Sequence, residues 1–185
     1  MNDQPAPPTE LRFRRPVEAD YPGIAAIVDD WWDGRVLHGL LPRLWFRHFV
    51  GTSWLAETDG PVGPDGPDGL DGPDGRPRVA GFLVGFVSPL DPRVGVIQAV
   101  GVDPNRRRIG IGRALVEHFV EDLRAAGGST VEALASPDNR RALRFLAALG
   151  FEPDAGPGSR PLYGVPAFEG YDFGTEDRAR FLRKV

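Results

Sequence analysis

The stretch Val102–Leu115, VDPNRRRIGIGRAL, sets three consecutive arginines (Arg106, Arg107, Arg108) and two glycines (Gly110, Gly112) between two ordered patterns. Before it, Arg93–Val102 (RVGVIQAVGV) is β-branched and bounded by Pro92 and Pro104, which predicts a strand. After it, Ala114, Leu115, Phe119 and Leu123 recur at three- and four-residue steps, which predicts a helix over Ile109–Ala126. Gly127-Gly128 stops that helix. Glycine is a poor helix former, so a pair of them at a helix start needs a reason. Strand, glycine-rich turn and helix together hold anions: first-turn N–H groups lack partners, the helix dipole adds positive charge, and glycine lets a phosphate approach the backbone. Adjacent arginines add fork-shaped donors.

Two familiar phosphate loops fail here residue by residue. A P-loop needs G-x-x-x-x-G-K-[ST], and the stretch has no lysine. A dinucleotide fingerprint needs a third glycine where this chain has Leu115.

Working outward, LRFRRP (Leu11–Pro16) alternates and predicts a strand. In YPGIAAIVDDWWDG, residues Ile24, Ile27, Val28 and Trp31 share a helical face, and Leu40–Val50 predicts a second helix. Strands are predicted at Ser53–Thr58, Arg78–Ser88 and Ser129–Ser136, with a last one in ARFLRKV. Asp138–Gly150 predicts a helix capped by Asp138 or Asn139 and closed by Gly150. The Gly/Pro-rich stretch from Glu152 to Asp177 predicts an ordered loop with little regular structure.

The chain has 185 residues, 41% of them hydrophobic, which suits a globular fold with one core. The domain expected is 10–185, after a disordered tail at 1–9, with a flexible loop at 59–77. That loop carries glycine at every third position from Gly60 to Gly75, too short a repeat for a collagen helix and without the alternating ligands of a calcium loop. No cysteine is present, which excludes disulfides and thiolate metal sites. The N-terminal residues lack signal-peptide character and no run is long and apolar enough to span a bilayer, so a cytoplasmic protein without membrane association is expected. A formal net charge of −4 weighs against nucleic-acid binding through the arginines.

Arg107-Arg108-Ile109-Gly110-Ile111-Gly112 has the form R-x-x-G-x-G and resembles the acyl-CoA signature of the GNAT superfamily of N-acyltransferases. Asn139–Phe151 (NRRALRFLAALGF) resembles that family's N-x-x-A-x-x-[FL]-Y-x-x-[LG]-G-F segment at the matching distance. The resemblance runs over roughly Leu11–Phe151. It implies an α/β fold of the α+β type: a mixed, largely antiparallel sheet, helices on both faces, and a splay between the fourth and fifth strands. It implies acetyl-CoA or another acyl-CoA as co-substrate, no metal, and direct transfer to a primary amine of a small molecule or peptide. A homodimer is a further expectation.

By this resemblance, backbone at Arg108, Gly110, Gly112 and Arg113 cradles the CoA pyrophosphate, with Arg106, Arg107 and Arg108 facing its phosphates. Ile109 and Ile111 anchor the helix to the sheet. Backbone at Val100 and Val102 and the Asn139 side chain contact the pantetheine arm. The family's thiol-protonating tyrosine falls at Leu146. Tyr163, Tyr171 or water is left as the acid. Glu132 is the base candidate, against the plainer reading of a solvent-facing strand residue. Trp31, Asp33 and His38 are candidates for the amine pocket, against the plainer reading that Trp31 belongs to the core. The alternative function is a catalytically silent acyl-CoA sensor.

Overall fold

The computed structural model describes residues 11–32, 39, 41–58, 78–172 and 175–185. Asp33, His38, the 1–9 tail and the 59–77 segment lie outside them. The elements are β1 (Leu11–Arg14), α1 (Tyr21–Trp31), α2 (Trp45–His48), β2 (Trp54–Thr58), β3 (Arg78–Val87), β4 (Val94–Val102), α3 (Ile111–Ala125), β5 (Thr130–Ala135), α4 (Arg140–Ala148), β6 (Glu152–Pro153), β7 (Arg160–Leu162), β8 (Val165–Asp172) and β9 (Glu176–Lys184). The strand order is β1-β2-β3-β4-β5-β9-β8-β7, with β6 paired to β9. The β4–β5 pair is parallel; β1–β2, β2–β3, β5–β9, β6–β9, β7–β8 and β8–β9 are antiparallel. Two compact units are present, residues 1–84 with 99–115, and residues 85–98 with 116–185, and β3, β4 and α3 each contribute to both.

In the first unit, α1 starts with a proline in its first turn, where a missing N–H costs nothing. It buries Ile24, Val28 and Trp31 against Leu55 of β2 and Phe82 and Val84 of β3, with Leu41 and Phe46 completing the cluster. Trp31 stacks on Phe82 at 6.0 Å and Trp32 meets the same ring edge-on at 5.7 Å. Gly81 faces the other way: a Cβ there would lie 2.8 Å from Ile111 Cγ2 and 3.1 Å from Leu115 Cδ1. Because strand residues alternate, α1 and the start of α3 cover opposite faces of β3.

In the second unit, Val131, Ala133 and Ala135 of β5 are buried. Arg183 pairs with Val131 across the β5–β9 ladder and forms a two-pronged bond to Glu117 of α3 at 2.8 and 3.0 Å. That face of β5 and β9 is therefore the one α3 covers. The β4–β5 ladder runs from Val94↔Thr130 to Ile97↔Ala133, while β4 continues to Val102.

Two expectations are corrected. The helix foreseen over Leu40–Val50 contracts to Trp45–His48, preceded by tight turns in which Trp45 and Phe46 donate to the carbonyls of Pro42 and Arg43. Pro42 lacks an N–H and favours a start over a middle. The supposed loop from Glu152 to Asp177 instead holds β6, β7, β8 and the first residues of β9. Leu162 pairs with Val165 around Tyr163 (φ 49°) and Gly164 (φ 87°), a two-residue hairpin turn with both central residues left-handed. Among the described residues no helix is long and apolar enough to cross a membrane.

Candidate functional site

The turn between β4 and α3 is built by its own side chains. The Asp103 N–H donates to the Ala80 carbonyl at 3.0 Å and ties the exit of β4 to β3. The Asp103 carboxylate accepts from the Asn105 N–H at 2.9 Å and organises the tight turn Pro104–Arg106. The backbone then turns left-handed at Arg108 (φ 70°) and Gly110 (φ 97°) before α3 begins at Ile111. A left-handed φ suits glycine and strains arginine by about 1 kcal/mol. The first helical bond here runs from the Ala114 N–H to the Gly110 carbonyl at 3.0 Å. The N–H groups of Ile111 and Gly112 precede it and have no acceptor within the helix. Space is open where a Cβ on Gly110 would sit. These residues suit a diphosphate: donors at a helix start, no side chain at Gly110, and a cation beside it.

The three arginines part company. Arg107 donates from Nε to the Val102 carbonyl at 3.3 Å and from its guanidinium to the Trp31 carbonyl, the last residue of α1. Arg106 lies 3.4 Å from the Asp103 carboxylate. Only Arg108 is exposed and without a partner among the described residues. Arg107 thus clamps two elements of the first unit rather than facing outward with its neighbours. Ile109, expected to anchor the helix, is 62% exposed; Ile111, at 2%, carries that packing alone. Val100 and Val102 lie half-buried on β4, and Arg113 is exposed on the first turn of α3. Asn139 caps α4, its side chain accepting from the Ala142 N–H at 3.1 Å.

Glu132 pairs with Leu182 across one ladder and Val96 across the other. Its neighbours Val131 and Ala133 belong to the α3 face, so Glu132 projects to the opposite one, which Val96 and Gln98 share by alternation. Arg180 stands there too, two pairs further along the ladder and so on the same face, donating to Asp154 at 2.6 Å with its guanidinium 4.8 Å from the Phe168 ring centre. Partial burial raises the Glu132 pKa above the usual carboxylate value; Arg180 pulls it back and Asp154 adds to the rise. A half-buried carboxylate of raised basicity fits proton abstraction.

Of the remaining candidates, Tyr171 adjoins that cluster through Phe168, its ring centre 6.2 Å from the Phe168 ring, and no contact among the described residues brings Tyr163 to it. Tyr163 is 74% exposed at the hairpin tip, where it lines an open recess of about 210 Å³ with Arg140, Leu143 and Arg144 of α4. Tyr171 is 43% exposed beside Phe168. Leu146, at the position of the family's tyrosine, is 6% exposed. Trp31 is 7% exposed and stacked on Phe82, the core position of the plainer reading. The sequence reading missed Asp154 and Arg180 because nothing local links them to β5.

An open turn feeding a helix start, with β4 outrunning its parallel partner, is the arrangement that the acyl-CoA transferase resemblance implies. Residues 71–151 match the Acetyltransferase (GNAT) family. With the fold, this places the chain in the GNAT superfamily. Similar curated proteins include an L-2,4-diaminobutyric acid acetyltransferase of Nocardia farcinica, 29% identical over 125 residues covering 68% of this chain and 56% of the relative. A mycothiol acetyltransferase of Sanguibacter keddieii is 33% identical over 162 residues, covering 79% and 44%. The chain thus spans about half the length of these relatives. Among solved structures, the diaminobutyrate acetyltransferase EctA of Paenibacillus lautus, in complex with its substrate and coenzyme A, superposes with a TM-score of 0.60 at 21% identity and covers 94% of each chain.

Proposed function

We propose that this chain is an acyl-CoA-dependent N-acyltransferase that moves an acetyl or other acyl group to a primary amine of a small molecule or peptide, by direct transfer in a ternary complex. The observation that carries the reading is the turn at Arg108–Gly112, left-handed at two positions and opening onto the start of α3. Bound acyl-CoA supplies an activated thioester. The N–H groups of Ile111 and Gly112, with Arg108, take its phosphates, and backbone at Val100 and Val102 takes its arm. Glu132, with Gln98 on the same face, removes the ammonium proton of the acceptor directly or through water. The leaving thiolate takes its proton from Tyr163, Tyr171 or water. Two of the relatives named above are acetyltransferases of L-2,4-diaminobutyric acid, an amine, which supports the reading. The test is thiol release from acetyl-CoA across a panel of primary amines. Acceptor-dependent release is expected; its absence across the panel together with tight acetyl-CoA binding turns the reading into the second one.

That second reading, an acyl-CoA sensor without turnover, is favoured by one observation. Leu146 is a buried hydrocarbon where the family places its acid.

A further inference from the structure

Two carboxylates flank one guanidinium in the second unit. Glu132 pairs with Leu182 across the β5–β9 ladder, and Arg180 stands two residues from Leu182 on the same face, a diagonal neighbour of Glu132. Diagonal neighbours in a sheet lie within reach of a long side chain. On the other edge of β9, Pro153 pairs with Phe181, and the N–H of Asp154 donates to the Arg180 carbonyl at 2.8 Å. Asp154 thus stands beside Arg180 from β6 as Glu132 does from β5.

The guanidinium goes to one of the two. Its Nε donates to Asp154 Oδ2 at 2.6 Å, and its Nη2 pairs with the same oxygen. Asp154 Oδ1 accepts from the Gly156 N–H at 3.0 Å, which fixes that carboxylate. The Phe168 ring lies against the other side of the guanidinium at 4.8 Å. Glu132 is left without a hydrogen bond or ion pair among the described residues. The other charged groups on this face of the surrounding strands are Lys184, bonded to Thr130 at 3.1 Å, Arg178, paired with Asp172, and Glu152, exposed on β6. Val96 and Gln98 of β4 carry no charge.

This allocation decides what Glu132 can do. A carboxylate paired with an arginine has its pKa lowered by about 1–3 and becomes a weak base. A carboxylate that is only buried keeps its proton and accepts none. Glu132 stands between these limits: burial raises its pKa, while Arg180, already matched by Asp154, draws it only part of the way back.

We propose that Asp154 is a positioning residue for Glu132: it holds the Arg180 guanidinium to itself and so keeps the Glu132 carboxylate free of an ion pair and open to the ammonium of the acceptor. The proposal rests on the acyltransferase reading, in which Glu132 takes that proton.

The full-length protein, with 13C in its glutamate carboxyl groups, is titrated with acid and the Glu132 resonance followed, assigned by its loss in Glu132→Gln. No acyl transfer is needed for this readout. Asp154→Asn releases Arg180 and should lower the Glu132 midpoint by about one pH unit or more. Asp154→Glu, which keeps the charge, should restore it. In an Arg180→Gln background the same Asp154→Asn change should move the midpoint far less, because the effect runs through Arg180. An unmoved midpoint in Asp154→Asn overturns the proposal. So does an equal lowering in both backgrounds, which would make Asp154 act by its own charge. In the parent protein the Arg180 Nε–H should keep its hydrogen-bonded resonance position on both sides of the Glu132 midpoint. Loss of that position as Glu132 takes its proton would make Glu132 the partner and overturn the proposal without any variant. The acid limb of kcat/KM should follow the Glu132 midpoint from variant to variant. A limb that stays put while the midpoint moves counts against Glu132 as the base and not against the hold on Arg180, so the two readings fail separately.

Discussion

Arg107 donates to the carbonyls of Val102 and Trp31, whereas Arg108 beside it is exposed and unpaired among the described residues. Replacing each by glutamine should therefore have different effects. Arg107→Gln removes charge-assisted bonds to two backbone acceptors and should cost about 1–3 kcal/mol in a urea melt. Arg108→Gln should change stability by no more than about 0.5 kcal/mol, yet weaken acetyl-CoA binding by about tenfold, the loss of one charged hydrogen bond. Glu132 has a different signature. Burial raises its pKa in the folded protein above the usual value near 4.5, so the folded state holds the proton more tightly than the unfolded one. Stability is then lost as pH rises from that usual value through the raised one, because the charged form is poorly solvated. Glu132→Gln should accordingly be more stable than the parent at pH 7 and show no such advantage at pH 4, as read by urea melts at both. If Glu132 is also the base, kcat/KM should rise with pH through the raised pKa and that limb should vanish in the variant.

The elements read most easily were those whose signal is local and periodic. The apolar steps of α1 and α3, the β-branched run of β4 and the glycines after α3 and α4 each mark an element within a few residues of its observed bounds. What stayed hidden depended on partners distant in sequence. The hairpin of β7 and β8 turns on Tyr163-Gly164, not on the Asn-Gly that announces such a turn, and its strands hold Pro161 and Pro166 opposite each other. The Glu132 environment needs Asp154 and Arg180, which reach it only through the β5–β9 register. The roles of the arginines at the β4–α3 turn were unreadable for the same reason, since Trp31 lies far upstream of Arg107. The hairpin supplies its own test. Asparagine accepts a left-handed backbone more readily than tyrosine. Tyr163→Asn should raise the melting temperature slightly while removing one wall of the Arg140–Arg144 recess. Gly164→Ala, at φ 87°, should cost about 1 kcal/mol. A melting temperature that falls in Tyr163→Asn would show that the ring is held by packing rather than by the turn.

For the molecule as a whole, the two ends of the 59–77 segment are fixed even though the segment is outside the described residues. Thr58 and Arg78 are direct partners in the β2–β3 ladder, so the segment closes a hairpin whose ends are already adjacent. Thr58 is buried, and the ladder carries a register shift between Ala56 and Glu57. The buried Glu57 takes two bonds from Arg14, at 2.9 and 2.6 Å, and Arg14 also grips Asp20. The pair is therefore secured by packing and by this ion network, independent of what joins its ends. Closure entropy grows only logarithmically with loop length, by about 0.6 kcal/mol for each doubling. Replacing residues 59–77 with a four-residue turn should stabilise the protein by about 1 kcal/mol in a denaturant melt. The turn before α3 lies elsewhere in the chain, so the rise in melting temperature produced by acetyl-CoA, which binds the folded state, should be the same in the shortened protein and the parent. A loss of several kcal/mol on shortening would show that the glycine-proline-aspartate repeat packs as structure. A loss of the acetyl-CoA shift with stability unchanged would instead make the repeat part of the binding site.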